Sequence, residues 1–506
     1  MDLVRPAAPD DLDGIVEVFW ACWTRSYAAF ARSDELARLD RAAAATLWRT
    51  ALERPGTTLV AERDGVVVGL ARSEHGPDLT QVHSLYVHPD AQGGGLGGRL
   101  LDAAVDGAPR ARLWVFSANR QARSFYARHG WVPDGVTRVQ PQFGLPETRL
   151  VREPPGTLQQ VAARLTGPEV CLAGETPPAG AVVGVTGRGL AAAGTRDLAG
   201  RPVTIGTWFD LASVTKLVTT VAVLVLVSRG LVDPDAPAGR YWPPAGDVRV
   251  RDLLLHRSGL LPWQPLYAGL AGSPGNREAA LALALALPRE TPGTQRYSDL
   301  GFMVLGECVA AVAGQSLPRA ISSLVCEPLG IDLRYAADLD PDAPVASSSI
   351  GDRVEEHMVA TGEPYPVLLD VTFTRWRAGE VRGAANDGNC CHALEGVSGH
   401  AGLFGRVADL LRLGAELACP RVLDAATVAS FTEDGPDAGQ ALGFRTRTLD
   451  DGRRLIHHPG FTGCTVGFVP GGRAYVVASN RLLTDGTAVP TQRLLDVLVA
   501  LSEGGS

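Results

Sequence analysis

A short motif near the middle of this 506-residue sequence places a serine and a lysine at the start of an apolar segment. Ser213-Val214-Thr215-Lys216 leads into the run 217–227, and this pattern predicts a helix with Ser213 in its first turn. Residues three apart share one helix face, so Ser213 and Lys216 would project into the same pocket. An amine that burial keeps partly neutral can take a proton from serine, and a helix start favours negative charge on the oxygen. The pair is a candidate nucleophile and base, although an ordinary helix start can carry the same residues.

Composition and charge place the chain among globular proteins. Apolar residues make up 45% and charged residues 20% of the sequence, which is long enough for two or more domains. The net charge of -8 argues against a nucleic-acid partner. The N-terminus lacks a secretory signal and the run 217–227 is too short to span a bilayer, so no membrane partner is expected. The eight cysteines follow neither a disulfide nor a zinc spacing, which predicts a cytoplasmic location and no metal.

Residues 1–152 alternate between strand and helix patterns. The strand pattern 81–87 leads into the glycine-rich loop 92–98, and a helical pattern follows from Arg99. Glycines between a strand and a helix let backbone N–H groups approach an anion such as a pyrophosphate. The loop therefore predicts a phosphate-binding site, although a flexible turn has the same composition.

Three motifs in this segment occur together. They are the strand end Leu85-Tyr86-Val87, the loop Gln92-x-x-Gly-x-Gly, and the segment Asn119-x-x-Ala-x-x-Phe-Tyr-x-x-x-Gly-Trp. With these motifs, residues 1–152 resemble the GNAT family of acetyl-CoA-dependent N-acetyltransferases. The resemblance implies an α/β domain with a mixed sheet and flanking helices. It also implies acetyl-CoA, or another acyl-CoA, as cofactor and a small amine as acyl acceptor.

The same resemblance implies roles for individual residues. Backbone groups of Leu85 and Val87 would hold the pantetheine arm, and Asn119 would line the cofactor. Tyr126 would protonate the departing thiolate, a step that needs a proton donor near the sulfur. The CoA pyrophosphate would lie against backbone N–H groups of the loop residues Gln92, Gly93, Gly94, Gly95, Leu96, Gly97 and Gly98.

One position departs from the acetyltransferase pattern. Many family members carry a carboxylate as general base near the start of the fourth strand, where this chain has Gln81. Glutamine cannot accept the proton. The base would then be His83, a chain of water molecules or Glu74, or it would be missing.

Further motifs in the C-terminal part of the chain occur together with the Ser213 motif. Tyr297-Ser298-Asp299 precedes an apolar helical pattern, and His458-Pro459-Gly460-Phe461-Thr462-Gly463 precedes two strand patterns. The segments 253–259 and 396–404 complete the set. In order and spacing, the C-terminal part of the chain resembles the class C β-lactamase and penicillin-binding-protein-like serine hydrolases. The resemblance implies an α+β domain with an antiparallel sheet and a helical subdomain.

The hydrolase resemblance implies a catalytic assignment. Ser213 would be the acylated nucleophile, and Lys216 and Tyr297 would be the proton-transfer pair. Which of these two is the general base stays open. The backbone N–H groups of Ser213 and Phe461 would form the oxyanion hole. His458 would face the substrate or Tyr297.

Two departures from the hydrolase pattern narrow the chemistry. Asp299 replaces the asparagine of Tyr-x-Asn, and it would either contact the substrate or cap the following helix. His458-Pro459-Gly460 replaces Lys-Thr-Gly, with Gly460 still expected beside the substrate. Without that lysine the site lacks the cation that pairs with a β-lactam carboxylate. An esterase, an amidase or D-peptidase, or a transacylase is therefore favoured.

The sequence as a whole predicts a fusion of two catalytic domains. The acetyltransferase-like domain would span 1–152, a linker 153–156, and the hydrolase domain, which needs no cofactor, 157–506. We expect a bifunctional enzyme that modifies small-molecule or peptide substrates through an acyl-enzyme and an acyl-CoA, in metabolite tailoring or detoxification. One alternative is an active hydrolase beside a silent CoA-binding docking module. The other is a cell-wall D-peptidase or β-lactamase.

Overall fold

The computed structural model describes residues 2–27, 39–77, 79–108, 110–141, 143–152, 157–270, 276–370 and 373–503. The linker predicted at 153–156 lies outside the described residues. The chain divides into two compact units, one built mainly on residues 1–156 and the other mainly on 157–499.

The first unit is a seven-stranded mixed sheet with helices on both faces. Its strands are β1 (Leu3–Pro6), β2 (Thr57–Arg63), β3 (Val66–His75), β4 (Thr80–Val87), β5 (Ala111–Phe116), β6 (Val132–Val139) and β7 (Pro146–Arg152). Its α-helices are α1 (Leu12–Ala21), α2 (Arg41–Glu53), α3 (Leu96–Val105) and α4 (Arg120–Arg128). The strand order is β1-β2-β3-β4-β5-β7-β6.

The centre of this sheet opens into a fork. β4 and β5 run parallel, but their pairing ends at Val82 and Leu113, although β4 continues to Val87. The register between β3 and β4 also shifts, because Arg72 pairs with Ser84 while the next residue pairs with Val82. His83 is thus the extra residue of a β-bulge, which bends a strand and re-aims its side chains. The fork leaves the β5-facing edge of the end of β4 open to a ligand.

The second unit is an α+β domain. Its α-helices are α5 (Leu158–Leu165), α6 (Val214–Ser228), α7 (Val250–Leu254), α8 (Leu266–Gly269), α9 (Arg277–Ala286), α10 (Asp299–Ala313), α11 (Leu317–Ile321), α12 (Glu327–Leu329), α13 (Arg353–Thr361), α14 (Val407–Ala418), α15 (Ala425–Thr432) and α16 (Thr491–Glu503). Its strands are β8 (Glu175–Thr176), β9 (Gly180–Val185), β10 (Gly189–Gly194), β11 (Phe209–Asp210), β12 (Leu333–Tyr335), β13 (Ser349–Ile350), β14 (Glu380–Val381), β15 (Leu403–Gly405), β16 (Gln440–Ala441), β17 (Phe444–Thr448), β18 (Arg454–Pro459), β19 (Thr465–Phe468), β20 (Ala474–Ser479) and β21 (Thr487–Ala488).

The core of the second unit lies around α6. The main sheet has the order β10-β9-β20-β19-β18-β17-β16, and its strands are antiparallel. α6 contacts α10, α15 and β18, so it is covered by helices as well as by the sheet. A helix that is apolar all round is stable only when it is enclosed in this way. The mixed sheet of the first unit and the antiparallel sheet of the second confirm both predicted fold classes.

Candidate active sites

The nucleophile lies on a sharp turn between β11 and α6. Ser213 is the N-cap residue of α6, one position before the first turn that the sequence predicts, because the helix begins at Val214. Ala212 has a φ of 43°, a left-handed conformation that is rare for a residue with a side chain. The carboxylate of Asp210 accepts a hydrogen bond from the Ala212 N–H at 2.8 Å. This bond holds the strained turn, and with it the position of Ser213.

Lys216 is the fully buried centre of the site. Its Nζ donates to Ser213 Oγ at 2.9 Å and to the carbonyl oxygen of His400 at 3.2 Å. It also forms an ion pair with Asp299 Oδ1 at 2.7 Å, and it lies 5.1 Å from the centre of the Tyr297 ring. The structure therefore brings together four residues that the sequence singles out.

The contacts of Lys216 favour one of the two assignments that the sequence leaves open. Burial by itself lowers the pKa of Lys216, but the Asp299 carboxylate and the Tyr297 phenol outweigh it, and the net pKa lies above its ordinary value. The carboxylate at 2.7 Å therefore favours a charged Lys216 over an amine that burial keeps neutral.

Two buried histidines, His256 and His458, lie beside Tyr297 with their ring planes tilted to it. Burial, and then Lys216 and Arg445, lower the pKa of His256 to about 3 and hold that of His458 well below its ordinary value. His458 Nδ1 lies 3.0 Å from the Pro459 carbonyl; in a neutral ring Nδ1 carries the N–H that donates to this oxygen, and Nε2 is an acceptor. The ring centres of His458 and Tyr297 are 6.3 Å apart. His458 therefore contributes no cation where the family pattern has a lysine.

The two backbone N–H groups that the sequence predicts for an oxyanion hole are unoccupied donors among the described residues. Within the described part of the chain, neither the N–H of Ser213 nor that of Phe461 has a hydrogen-bond acceptor. Their segments are tied together because Thr462 Oγ1 donates to the Asp210 carbonyl at 2.7 Å. Free N–H donors beside a nucleophile are positioned to stabilise negative charge on a substrate oxygen.

The structure gives Gly460 and Asp299 specific contacts. The Gly460 N–H donates to the Cys464 carbonyl, and the Gly460 carbonyl accepts from Thr491 Oγ1, so both polar groups are engaged. A side chain at position 460 would lie 2.5 Å from the Leu211 carbonyl, which explains the glycine. Ser298, not Asp299, caps α10 by accepting from the Gly301 N–H, and Asp299 pairs with the lysine instead.

The first unit contains a cavity of about 690 Å³ at the fork between β4 and β5. All the residues that the sequence predicts at the cofactor, except Gly94, line it. Within the described chain, no hydrogen bond uses the backbone N–H groups of residues 93–98, and a side chain added at Gly93, Gly94 or Gly95 would meet nothing within 4 Å. An open loop with free N–H groups at a helix start fits a pyrophosphate.

Other cofactor residues have contacts of their own. The Val87 carbonyl accepts from Gln92 Nε2 at 3.0 Å, so a pantetheine arm would have to displace that side chain to use it. Asn119 Oδ1 accepts from the Ala122 N–H and caps α4 while the residue lines the cavity. Burial raises the pKa of Tyr126, which keeps its phenol neutral and able to donate a proton.

Gln81 is tied into the sheet. Its Oε1 accepts from Arg112 Nε at 2.7 Å, and its Nε2 lies 3.1 and 3.3 Å from the carbonyls of Val82 and Arg112. The Gln81 amide therefore accepts from one neighbouring donor and donates toward two carbonyl oxygens, and a carboxylate at this position could not donate to either. His83 lines the cavity and lies 3.3 Å from Glu74, so both alternative bases lie together.

Residues 169–498 match the family model described as Beta-lactamase, and this match covers more than half of the chain. The chain belongs to the beta-lactamase family. Residues 12–131 match the Acetyltransferase (GNAT) family model, so this beta-lactamase-family protein carries an N-terminal GNAT domain. Both family resemblances seen in the sequence are confirmed.

Among curated proteins, the chain is 30% identical over 271 residues to an Escherichia coli K12 protein provisionally named D-alanyl-D-alanine carboxypeptidase. The match covers 48% of this chain and 59% of the relative, so the chain spans about three-fifths of that relative's length. Solved structures share the fold at lower identity. EstCE1, a hydrolase with promiscuous acyltransferase activity, is 21% identical with a TM-score of 0.51, covering 68% of this chain and 97% of its own. A D-stereospecific amidohydrolase from Streptomyces is 18% identical with a TM-score of 0.50, covering 67% and 98%.

Sequence analysis of this beta-lactamase-family chain missed Arg445. Its guanidinium lies 5.2 Å from the centre of the Tyr297 ring, is exposed, and pairs with no carboxylate in the described chain. The strand pattern of β17, in which Phe444 and Thr446 are buried and Arg445 is exposed, was the available signal. The pairing of Arg445 with His457 brings it beside the site.

Sequence analysis also missed the buried polar network below the nucleophile. Asp210 Oδ2 accepts from the Asn386 N–H at 2.6 Å, and the neighbouring Asp387 lies 2.9 Å from His400 Nε2. The carbonyl of that histidine accepts from Lys216. Asp210 therefore connects the nucleophile turn, the segment that supports the lysine, and the oxyanion segment.

In the described chain no single helix has the length and apolar character of a membrane span. One bent pair of helical segments, Asp299–Ala313 and Leu317–Leu329, has this length and apolar character only when the two are taken together. Among the same residues no three histidine, cysteine, aspartate or glutamate side chains are grouped to hold a metal ion.

Proposed function

We propose that the second unit is a Ser-x-x-Lys serine hydrolase that forms an acyl-enzyme on Ser213. The observation that carries this proposal is the 2.9 Å contact between Lys216 Nζ and Ser213 Oγ, next to two free backbone N–H groups. A serine that is hydrogen-bonded to a buried lysine and lies near free backbone N–H donors has most of the groups that acyl transfer needs, and a general base completes the set.

Tyr297 is our candidate for the general base. Lys216 is a cation that already donates to Ser213, so it has no lone pair to accept the serine proton. In this role Tyr297 acts as its phenolate, which the Lys216 cation stabilises; the phenolate oxygen takes the proton of Ser213 as the serine attacks, and Tyr297 becomes the neutral phenol. Tyr297 then returns the proton to the leaving group, and water or another acceptor releases the acyl group.

A peptide-like substrate with a free carboxylate suits the charges of this site. The pKa of His458 lies well below its ordinary value, and Asp299 forms an ion pair with Lys216. Arg445 is therefore the exposed cation beside Tyr297 that a substrate could meet. A guanidinium can hold a carboxylate through two parallel hydrogen bonds. The names of the curated relative and of the Streptomyces amidohydrolase support a D-amino-acid residue at the scissile bond, so a D-peptidase or amidase is favoured, with esterase and transacylase activity as variants of the same step.

The first unit is proposed to be an N-acetyltransferase that uses acetyl-CoA on a small amine. The loop 92–98 would hold the pyrophosphate, and Tyr126 would protonate the thiolate. Acetyl-CoA supplies the activated acyl group. The GNAT assignment supports acyl-CoA use, and the protein would combine both activities in the cytoplasm.

Intact-protein mass spectrometry tests the hydrolase. The native chain and Ser213→Ala are treated with a fluorophosphonate and, separately, with p-nitrophenyl acetate. We expect one adduct on the native chain and none on the variant. An unmodified native chain with a normal circular dichroism spectrum would contradict the assignment.

Gln81 favours a second candidate function for the first unit, that of a silent CoA-binding docking module. Calorimetric titration with CoA, together with acetyl-CoA turnover on an amine panel, separates the two. Binding without turnover supports the docking module, and turnover supports the transferase. A cell-wall D-peptidase role is tested by fractionation, which we expect to place the protein in the cytoplasm.

A further inference from the structure

The cavity of the first unit has an aromatic wall on the side away from the glycine loop. Seven aromatic side chains line this wall: Phe19, Trp23, Tyr27, Trp48, Tyr86, Phe116 and Phe143. They come from α1 and the turn after it, from α2, from both strands of the fork, and from the loop before β7. The wall therefore surrounds the place where an acyl group emerging between β4 and β5 would meet its acceptor.

The rings of the aromatic wall hold one another in place. Tyr27 lies 5.5 Å from Phe116 and 6.5 Å from Tyr86 between ring centres, and it is only half-buried. Behind these rings, Trp23 is 1% exposed and packs 5.2 Å from Tyr27 and 4.7 Å from Phe143. Aromatic pairs at these separations are attractive beyond the area they bury. The wall is thus a preformed apolar slot rather than a loose surface.

The charges on the cavity wall argue against a cationic ligand. Among the described residues that line the cavity, the only carboxylate is Glu147, and Arg138 Nε donates to it at 2.7 Å. Removing an ammonium ion from water without a partner is costly. Gln81, which is bonded into the sheet, cannot take a proton from such an amine, and the other candidate base on the wall, His83, is already in contact with Glu74 at 3.3 Å. An acceptor that enters already neutral avoids both difficulties.

We propose that the acceptor of the GNAT domain is a small aromatic amine of low basicity, in which the amino group is attached directly to the ring. This inference rests on the proposed acetyltransferase function and names its substrate class. The ring lies against the aromatic wall, and the neutral nitrogen points to the fork. Trp48 lines the same cavity, and its buried N–H has no acceptor in the described chain.

The group transfer balances with this acceptor. The amine nitrogen attacks the thioester carbonyl carbon, so a C–N bond forms and the C–S bond breaks. The nitrogen loses one proton to water, and the departing sulfur gains one from Tyr126, which solvent then reprotonates. The products are an N-aryl acetamide and the free thiol, with no oxidant, reductant or added base.

Binding of three amines of matched size to the full-length protein tests the proposal without turnover. p-Toluidine and benzylamine are isomers, but only benzylamine is protonated near neutral pH, and cyclohexylmethylamine is protonated and lacks the aromatic ring. Quenching of tryptophan fluorescence reports occupancy. We expect p-toluidine to bind at least about 10-fold more tightly than benzylamine, because the cost of desolvating the ammonium ion exceeds its attraction to the rings, and cyclohexylmethylamine most weakly, because it also lacks a ring to pair with the wall. Equal affinities, or the reverse order, would overturn the proposal.

A ring deletion provides the second test. Phe143→Leu keeps an apolar side chain but removes an aromatic face, and we expect p-toluidine binding to weaken about 10-fold. Val66→Ala, at a surface position 61% exposed, serves as the control in the same unit and should change nothing. If Phe143→Leu does not fold, Phe116→Leu replaces it. Unchanged p-toluidine affinity in a folded ring-deletion variant would also overturn the proposal.

Turnover separates this inference from the function on which it rests. Acetyl-CoA binding, measured by calorimetry, tests the transferase assignment by itself. If acetyl-CoA binds and aliphatic amines are acetylated in preference to p-toluidine, the transferase stands and the aromatic acceptor is refuted. If acetyl-CoA does not bind, the transferase fails, while tight p-toluidine binding would still identify the aromatic wall as a ligand site.

Discussion

Replacement of Asp210 by asparagine should separate activity from stability. Burial raises the pKa of the Asp210 carboxyl to about 6, although the N–H groups of Ala212 and Asn386 favour its anion; Asp387 raises the pKa further and Arg377 lowers it. Against the ordinary value of 3.8, this corresponds to a cost of about 3 kcal/mol in the folded state at neutral pH. An asparagine side chain carries no charge, so Asp210→Asn removes that cost.

The same substitution disturbs the site. An asparagine has one acceptor oxygen, so either the Ala212 or the Asn386 N–H would face an NH2 group, at a loss of about 1–2 kcal/mol. The gain exceeds the loss, so the free energy of unfolding at neutral pH should rise by about 1–2 kcal/mol. The displaced turn still moves Ser213 relative to the oxyanion donors, and we expect kcat for p-nitrophenyl acetate to fall about 10- to 100-fold.

The pH dependence gives a second readout. Because the folded-state pKa of Asp210 lies above the unfolded one, the folded chain binds more protons between about pH 4 and 6, and this group's contribution to stability falls as pH rises through that window. In Asp210→Asn, this decline of the free energy of unfolding between about pH 4 and 6 should be absent. Urea unfolding across the window and kcat measured at pH 7 check the prediction. An unchanged kcat, or a loss of several kcal/mol in unfolding free energy at neutral pH, would refute the reasoning.

Three further substitutions test separate groups. Arg445→Ala should raise KM for a substrate with a free carboxylate about 10-fold and leave p-nitrophenyl acetate hydrolysis unchanged, because only the former needs the cation; equal effects on both would contradict this. Asp299 raises the pKa of Lys216, so in Asp299→Asn the lysine should lose its proton at lower pH, and the fall of kcat at alkaline pH should begin earlier. If kcat instead rises with pH in this variant, neutral Lys216 is the base. Gln81→Glu should lower the thermal unfolding temperature without increasing acetyl transfer, since a carboxylate would face two carbonyl oxygens; faster transfer would argue for a missing base.

Local motifs predicted much of both sites. Ser213 and Lys216 are close because they lie three positions apart at the start of a helix, and a glycine loop with free N–H groups follows from the local sequence at 92–98. Nothing beyond local spacing is needed for either feature.

Other parts of the site depend on contacts between distant segments. The charge of Lys216 depends on Asp299, which lies 83 positions later in the sequence. The residue pattern of either segment gives no sign that the two side chains lie 2.7 Å apart. Arg445 reaches the site only through the register of β17 on β18. The sequence gives Asp210 only as the end of a short strand. Its role in joining distant segments depends on the hydrogen bonds that it accepts from the Asn386 N–H and from Thr462 Oγ1.

The position of Ser213 and Lys216 on one enclosed helix has a consequence for how this protein could diversify. The reacting pair moves as a unit, since α6 is covered by helices and by the sheet. The side chains of Arg445 and Phe461 are exposed and come from two other segments. Substitutions of these side chains would alter what the site binds without replacing the proposed nucleophile, the lysine or Tyr297, so the proposed acyl-enzyme chemistry and the substrate preference can change independently.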